Sequence, residues 1–222
     1  MKKKVIIFGD ENLAGEVKYY LDIDSDYEVV AFTVHKAFRK IDRFEGLPVV
    51  DFECVLEKYP PVEFDMFVAI GYRKMNRTRG EVIEQAMRNG YHLISYISSK
   101  AICHTAEIGC NAFICDGCYI GKGASIGMGC FLNALAIVGH RCKVGNNVFI
   151  AASVVIGGDV TVEDNCFIGQ NTTVANGLTI GWQSFVGAAS FINKSTKPAL
   201  LYSGNPARKY SVDTLLVEED YL

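Results

Sequence analysis

An apolar residue recurs at every sixth position over the second half of this chain, and this rhythm restricts the fold more than any other feature. From Ile108 to Ile192 all fifteen members of the series are isoleucine, valine or leucine. In an α-helix a step of six residues rotates the side chain by about 240°, so the series would not share one side. A coil with three flat sides aligns it, because each hexapeptide then supplies one short strand and one corner.

Small residues recur four positions after each member of the series. A narrow prism needs one large and one small inward residue per side, since protein interiors are close-packed. Four of the eight cysteines take this position and are predicted to be core residues: Cys118, Cys130, Cys142 and Cys166. Glycine is common directly after the series residue, where we expect corners with positive φ. Three hexapeptides make a coil of eighteen residues, so residues 108–197 hold about five coils without an insertion.

The first half of the chain alternates strand and helix patterns. Strands are predicted at 5–8, 27–34, 64–70 and 92–97, and helices at 13–21, 52–59 and 76–89. Apolar strands separated by helices indicate a small parallel sheet. We therefore divide the chain into a Rossmann-like α/β domain at 1–98, a β-helix at 99–195 and a tail at 196–222. Ligands of such sheets bind at the carboxyl ends of the strands.

Composition excludes several classes of function. The net charge is −3 and no long basic run is present, which argues against nucleic-acid binding. No apolar stretch is long enough to span a membrane, and the first apolar run breaks at Gly9, too early for a signal peptide. These features predict a cytoplasmic protein with reduced cysteines. Cys115 and Cys118 fall at a corner and an inward position, so we expect no metal site there.

Taken together, these residues resemble the bacterial hexapeptide-repeat sugar acyltransferases, which include sugar-nucleotide N-acetyltransferases and sialic acid O-acetyltransferases. The resemblance rests on the small α/β domain, the unbroken repeat, the segment NALAIVGHRC with Asn133 and His140, and the segment YSGNPARK near the end. It implies an α/β domain followed by an all-β left-handed parallel β-helix. It also implies a homotrimer, with acetyl-CoA between adjacent helices and a histidine as base.

His140 is the candidate catalytic residue, with Asn133 as its partner or as a substrate ligand. A lone histidine near a corner is commonly a plain surface residue, but an imidazole suits proton removal from an amine or hydroxyl near neutral pH. Backbone N–H groups at Gly157 and Gly158, one coil onward, are candidate donors to the thioester oxygen. Arg141 follows His140 where the family often has an acidic residue, so an orienting group must come from elsewhere, for instance from a neighbouring subunit.

A column of shrinking residues, in steps of eighteen, is the candidate track for the pantetheine arm of CoA. Its members are Asn133, Ala151, Gly169 and Gly187. Plain corner geometry would also produce such a column. Beyond the repeat, the cations Lys194, Lys197 and Arg208 are candidates to meet the CoA phosphates, although as surface charges they need no explanation.

The α/β domain departs most from the family. After the first strand the family has a glycine-rich loop, of which Gly9 and Gly15 remain, while Asp10 and Glu11 would repel a diphosphate. The acidic position after the second strand is replaced, leaving His35. After the third strand Gly71, Tyr72 and Arg73 offer a ring to stack on a base and a cation for a phosphate, or form an ordinary loop.

Three functions remain open from the sequence. The first is acetyl transfer from acetyl-CoA to the amine of a nucleotide-linked amino sugar, with direct transfer and His140 as base. The second is O-acetylation of a free sugar or a sialic acid, which the altered Gly9 loop favours. The third is a non-catalytic trimeric sugar-binding module, which Arg141 beside His140 permits. Amine and hydroxyl acceptors would separate the first two, and acetyl-CoA binding would separate both from the third.

Overall fold

The computed structural model describes residues 2–105 and 107–216, in which an α/β domain precedes a three-sided β-helix. The elements of the domain are β1 (Lys3–Phe8), α1 (Asn12–Ile23), β2 (Tyr27–Val34), β3 (Arg43–Phe44), β4 (Leu47–Asp51), α2 (Val55–Lys58), β5 (Asp65–Val68) and α3 (Arg77–Arg88), with single 3₁₀ turns at Lys36–Phe38 and Phe52–Cys54. The sheet order is β3-β4-β2-β1-β5. All pairings are parallel except the β3–β4 hairpin, so the predicted parallel sheet is confirmed.

The α/β domain differs from the sequence prediction in two places. The hairpin of β3 and β4 was not predicted, because its strands are short and its turn is only Glu45-Gly46. The predicted strand at 92–97 is reduced to Tyr96–Ile97, which pairs with Phe113–Ile114 of the β-helix. Only a bridge from Leu93 to Met66 connects that segment to the domain sheet. The β-helix sheet therefore begins at Tyr96, slightly before the predicted boundary.

The β-helix has three faces of two-residue parallel strands. We name them the phenylalanine face, the open face and the polar face. The phenylalanine face contains Tyr96–Ile97, Phe113–Ile114, Phe131–Leu132, Phe149–Ile150, Phe167–Ile168 and Phe185–Val186. The open face contains Ile102–Cys103, Tyr119–Ile120, Ile137–Val138, Val155–Ile156, Thr173–Val174 and Phe191–Ile192. The polar face contains Ser125–Ile126, Lys143–Val144, Thr161–Val162 and Thr179–Ile180.

The interior follows the predicted pattern of one large and one small residue per side. The series residues from Ile114 onward and the four predicted cysteines lie together in one buried core cluster. Burial raises the pKa of the Cys130 and Cys166 thiols to about 12, so these groups are packing residues and not nucleophiles. Cys115 packs outside the prism in a different cluster from Cys118, as predicted.

The corner glycines serve a different purpose from the predicted one. The left-handed residue is the third after the series member, for example Arg141 (φ 54°) and Asn147 (φ 55°). The glycine directly after the series member is required by close approach of the next coil. A Cβ at Gly121 would lie 2.6 Å from the backbone nitrogen of His140, and one at Gly139 would lie 2.7 Å from the backbone of Gly157.

Outward phenylalanines at eighteen-residue spacing attach the α/β domain to the β-helix. Phe149 stacks on Phe131 and Phe167, with ring centroids 6.1 and 5.5 Å apart, and Phe167 stacks on Phe185 at 4.8 Å. These rings are buried in the same cluster as core residues of the domain. This ladder explains why the domain packs on the phenylalanine face of the prism, and its period of eighteen is visible in the sequence.

The tail does not simply leave the repeat. Leu200–Ser203 continues the phenylalanine face in parallel beside Phe185–Val186, and Arg208–Asp213 then adds an antiparallel strand. A 3₁₀ turn follows at Thr214–Leu216, and the rest of the predicted tail lies outside the described residues. Across 2–105 and 107–216, the helices are all too short or too polar to cross a lipid bilayer.

Candidate active site

Each corner of the prism repeats every eighteen residues and forms a column along the axis. The small-residue corner lies between the phenylalanine and open faces and contains Asn133, Ala151, Gly169 and Gly187. The histidine corner lies between the open and polar faces and contains Lys122, His140, Gly158 and Asn176. The asparagine corner lies between the polar and phenylalanine faces and contains Met128, Asn146, Asp164 and Trp182.

His140 lies flat against the coil that follows it. A Cβ at Gly158 would overlap Cε1 of the imidazole and would lie 2.5 Å from Nε2 and 2.7 Å from Nδ1. The ring therefore occupies the space that the missing side chain leaves. The His140 side chain is 56% exposed, so a substrate can reach it from the solvent.

A carboxylate from the next coil lies beside the imidazole. Asp159 accepts two hydrogen bonds from Arg141, from Nε at 2.6 Å and from a terminal nitrogen at 2.7 Å, and its Oδ2 lies 3.6 Å from Nε2 of His140. The hydrogen bond from Arg141 holds the pKa of Asp159 below its usual value. The sequence interpretation looked for an acidic neighbour elsewhere, for instance in another subunit. Asp159 supplies it in the same chain, since residues 141 and 159 are one coil apart.

The two predicted oxyanion donors are already engaged. The N–H of Gly157 donates to Val174 O at 2.9 Å within the coil-to-coil ladder, so Gly157 has no free donor. The N–H of Gly158 donates to Oδ1 of Asn176 at 2.8 Å. Because that acceptor is an exposed side chain, a ligand oxygen can replace it, whereas replacing the Gly157 bond would break the ladder. Gly158 is therefore the usable donor beside His140.

Asn133 and His140 lie on different corners of the same prism. The strand Ile137–Val138 of the open face separates them, so one chain does not bring them together. The column of Asn133, Ala151 and Gly169 is therefore not beside His140 within a chain, so Asn133 is not a partner of His140 from the same chain. Asn133 can meet an imidazole only if a second copy presents its histidine corner.

The small-residue corner still offers backbone donors. In the described ranges the N–H groups of Ala152 and Gln170, each one residue after the column, have no acceptor in the chain. The equivalent groups on the asparagine corner are capped, with Met128 N donating to Asn146 Oδ1 at 2.9 Å and Asn146 N to Asp164 Oδ1 at 2.7 Å. A row of uncapped donors suits amide carbonyls such as those of pantetheine.

The predicted phosphate-binding cations are spread along the C-terminal end. Lys194 and Lys197 are exposed in the turn after the last coil, and Arg208 is exposed at the start of the final strand. The described residues contain no carboxylate within ion-pair distance of these three side chains. They therefore form no built pocket by themselves but remain available to a polyanion.

The carboxyl edge of the domain sheet carries paired charges. Gly9 directly follows β1 with φ 131°, and a Cβ there would lie 2.8 Å from Ala69 O, so glycine is required by packing. Burial, and then the neighbouring Glu11, raise the pKa of Asp10. Arg73 lies 3.2 Å from Glu11 and joins the loops after β5 and β1. At this edge the carboxylate of Glu11 is thus paired with Arg73, and the carboxyl group of Asp10 is half-buried.

The other predicted substrate residues have packing contacts. Tyr72 lies edge-on against Phe149 and Phe167, at 5.2 and 5.1 Å, so its ring joins the domains and is not a free stacking surface. Gly15 lies within α1 near Phe44, so it belongs to no phosphate loop. His35 directly follows β2, and its Nδ1 lies 3.1 Å from Oε1 of Glu53.

Arg79 of α3 is a residue that the sequence interpretation missed. Its side chain is fully buried, and it donates to the carbonyl oxygens of Ile70, Gly71, Gly129 and Asn147. Burial lowers its pKa to about 9, so it remains charged at neutral pH. It fixes the Gly71 loop to the β-helix. No sequence signal distinguishes this arginine from its neighbours Arg77 and Arg88, whereas stepping by eighteen from Arg141 and His140 would have found Asp159 and Asn176.

The part of the chain that the structure describes contains no group of three or more histidine, cysteine or acidic residues placed to hold a metal ion. The histidine corner itself offers an imidazole, a carboxylate and a backbone N–H. This set can remove a proton and stabilise a developing oxyanion.

Two family models match the β-helix. Residues 123–158 match the bacterial transferase hexapeptide, described as six repeats, and residues 159–194 match the hexapeptide repeat of succinyl-transferase. No curated protein sequence matches the chain.

Solved structures resemble the chain over almost its full length. PerB from Caulobacter crescentus, in complex with CoA and GDP-perosamine, has a TM-score of 0.83 at 25% identity, covering 94% of this chain and 97% of that one. The acetyltransferase domain of PglB from Neisseria gonorrhoeae, in complex with acetyl coenzyme A, has a TM-score of 0.82 at 23% identity, covering 95% and 100%. WeeI from Acinetobacter baumannii has a TM-score of 0.79 at 21% identity, covering 93% and 99%. These likenesses confirm an α/β domain followed by a left-handed parallel β-helix.

Proposed function

We propose, from the premise that this chain is a hexapeptide-repeat acyltransferase, that it transfers an acetyl group from acetyl-CoA to the amine of a nucleotide-linked amino sugar. The observation that carries the proposal is the exposed imidazole of His140 lying against Gly158, with a backbone N–H and Asp159 beside it. The choice of reactants is supported by PerB, which was solved with CoA and GDP-perosamine.

His140 acts as the general base in a direct transfer. It takes a proton from the amine as the nitrogen attacks the thioester carbon, and the carbonyl oxygen becomes an oxyanion that accepts the Gly158 N–H. The intermediate collapses by breaking the carbon–sulfur bond, and the proton passes from the imidazolium to the departing thiolate. The products are the N-acetylated sugar and CoA with a free thiol. Asp159 orients the ring and stabilises the imidazolium.

A homotrimer completes the site. Asn133 and its column lie on a different corner from His140, so a neighbouring copy must supply one of the two. The open face supports this, because it exposes apolar side chains at Ile102 (55%), Tyr119, Ile137 and Val155 (38% each), and Leu135 beside it is 60% exposed. Pantetheine would then run along Ala151, Gly169 and Gly187 of one copy toward His140 of the next.

The ends of the two substrates lie at opposite parts of the fold. The sugar nucleotide binds at the carboxyl edge near Gly9, His35, Gly71 and Arg73, with Tyr72 holding that edge to the β-helix. The CoA phosphates reach the C-terminal end, where Lys194, Lys197 and Arg208 are exposed. Both substrates and the described fold are compatible with a cytoplasmic enzyme.

O-acetylation of a free sugar or a sialic acid is the second candidate, and one observation favours it. Asp10 and Glu11 occupy the turn before α1, where carboxylates oppose a diphosphate. Release of CoA with matched amine and hydroxyl acceptors decides between the two, and faster turnover of the hydroxyl acceptor would favour O-acetylation. The non-catalytic alternative was based on the cation of Arg141 beside His140. Asp159 neutralises that cation, so the alternative is no longer supported.

The deciding experiment is release of free CoA from acetyl-CoA and a 4-amino sugar nucleotide. His140→Ala should lower kcat/KM by about 10²- to 10⁴-fold, the usual contribution of general-base catalysis. The matched control is His104→Ala, since His104 is an exposed histidine whose ring lies 5.5 Å from that of Tyr119 on the same β-helix. Equal activity of the two variants would contradict the proposed role of His140.

A further inference from the structure

Asn176 occupies a position in the histidine corner that the proposed chemistry does not use. It lies two coils after His140 and one coil after Gly158, and its side chain is exposed. Its Oδ1 accepts the Gly158 N–H at 2.8 Å. A Cβ at Gly157 would overlap that Oδ1, so the amide lies directly across the Gly157–Gly158 turn. An oxygen atom of this chain therefore already occupies the donor beside the imidazole.

The same cap occurs on the asparagine corner, where it forms a continuous ladder. Oδ1 of Asn146 caps Met128 N, and Oδ1 of Asp164 caps Asn146 N. On the histidine corner the ladder stops, because Gly158 has no side chain to cap the N–H of His140. In the described chain that N–H has no acceptor. The cap by Asn176 is thus isolated, and it is made to the N–H of the residue whose Cα lies against the imidazole.

We propose that Asn176 is a positioning residue of the acyl-CoA site, whose amide oxygen holds the place of the thioester carbonyl oxygen until acyl-CoA displaces it. This inference rests on the proposed function. The thioester carbonyl and the Asn176 amide compete for one N–H, so the residue weakens the binding of acyl-CoA. CoA with a free thiol has no carbonyl at that point and does not compete.

The competition gives Asn176 a role in selecting ligands. A thioester must exchange one hydrogen bond for another and gains little from the donor in the ground state. The tetrahedral oxyanion accepts a stronger, charge-assisted bond, so the exchange becomes favourable in the transition state. After displacement the Asn176 side chain rotates into the solvent, where its exposed amide is hydrated.

The test is the ratio of dissociation constants of CoA and acetyl-CoA, measured by calorimetry without an acceptor sugar. Asn176→Ala should tighten acetyl-CoA binding by about 3- to 10-fold, as expected for one neutral hydrogen bond, and leave CoA binding unchanged. Asn176→Asp should shift the ratio the other way, because a carboxylate holds the N–H more strongly. The left-handed residue of this turn is Gly177 (φ 69°), so neither substitution strains the backbone.

Asn146→Ala is the matched control, since it removes an equivalent cap on the asparagine corner and should leave the ratio unchanged. The melting temperatures of Asn176→Ala and Asn146→Ala should be similar, because each variant has lost one exposed side-chain cap. An unchanged ratio in both Asn176 variants, or an equal gain for CoA and acetyl-CoA, would overturn the inference alone. A wild-type protein that binds neither ligand would overturn the proposed function, and the inference with it.

Discussion

At the residue scale, the histidine corner is assembled by side chains one and two coils apart. Gly158 provides room for the His140 ring, Asp159 meets Arg141, and Asn176 caps the remaining donor. Each of these residues follows His140 or Arg141 by a multiple of eighteen. The imidazole is therefore positioned by the regular stacking of coils.

Gly158→Ala should strongly reduce the activity of the enzyme without unfolding it. A Cβ would overlap the imidazole, and a displacement of about 1 Å from the productive geometry can cost about 10²-fold in rate. The φ of Gly158 is not in the left-handed region, so the backbone accepts alanine. Steady-state kinetics should show a fall in kcat of about 10²-fold, with near-normal circular dichroism.

Gly158→Ala in a His140→Ala background provides the control. There the overlap is absent, so the alanine should no longer reduce the free energy of unfolding by about 1–3 kcal/mol, the cost expected of an overpacked site. Equal destabilisation in both backgrounds would show that the imidazole does not lie on Gly158.

Arg141→Ala and Asp159→Asn should move the pH dependence of kcat/KM in opposite directions. Without Arg141, the carboxylate 3.6 Å from Nε2 is uncompensated and favours the protonated imidazole, which cannot act as a base. The acidic limb should therefore shift to higher pH by about half a unit to one unit. In Asp159→Asn the Arg141 cation is uncompensated and favours the neutral imidazole, so the limb should shift to lower pH.

The comparison applies at pH values at which the pair of Asp159 and Arg141 is intact in the wild type. The pKa of Asp159 lies below its usual value, so its pair with Arg141 is intact at neutral pH and is lost only as the pH falls through that lowered value. Ala189 adopts φ 54° at a position equivalent to Arg141, so the substitution is compatible with the turn. Shifts of the same sign in both variants would refute the electrostatic account.

At the scale of elements, the phenylalanine face joins the two domains. Five rings at eighteen-residue spacing pack against the domain, and Arg79 crosses the same junction with hydrogen bonds to both sides. The carboxyl edge near Gly71 is thereby held against the coils of Phe149 and Phe167. The loops at the carboxyl edge and the β-helix are thus parts of one packed unit.

Phe167→Ala should destabilise the protein by about 3–5 kcal/mol, the usual cost of removing a buried phenylalanine. Its ring contacts Phe149, Phe185 and Tyr72 and is 6% exposed. Thr161→Ala, at the same strand position on the polar face, should change stability by no more than about 0.5 kcal/mol. Equal effects in urea denaturation would show that the phenylalanine ladder does not carry the junction.

The sequence predicted the β-helix more fully than the α/β domain. Every series residue from Ile114 to Ile192 enters the core, because a strict six-residue rhythm has no other compact solution. The strand at 92–97 was misassigned, because its apolar pattern does not say which sheet it joins. At the site, the sequence identified His140 from its residue type. Its separation from Asn133 becomes clear only when the hexapeptides are counted around the three corners of the prism.

At the scale of the whole molecule, the open face is an exposed apolar surface beside the site. Ile137 and Val155 lie in the central strands of this face, between the histidine and small-residue corners. In the proposed trimer, pairing this face with another copy would bring the two corners together. Assembly and catalysis are therefore expected to fail together.

Ile137→Asp should dissociate the proposed trimer and abolish turnover, since it would place an unpaired charge in the apolar contact expected between copies. Light scattering at micromolar concentration should report the monomer mass. Ser125→Asp, at the same strand position on the polar face, should remain trimeric and active. A monomeric wild type, or an active monomeric variant, would contradict a site shared between copies.

The unbroken count of residues between coils has a consequence for how this protein can change over time. A net gain or loss of six residues between positions 140 and 158 would rotate all later coils by a third of a turn. Gly158 and Asp159 would leave the imidazole, and Phe167 and Phe185 would turn away from the domain they support. Gains or losses of a full eighteen residues would conserve every column and only change the height of the prism, by about 4.8 Å per coil.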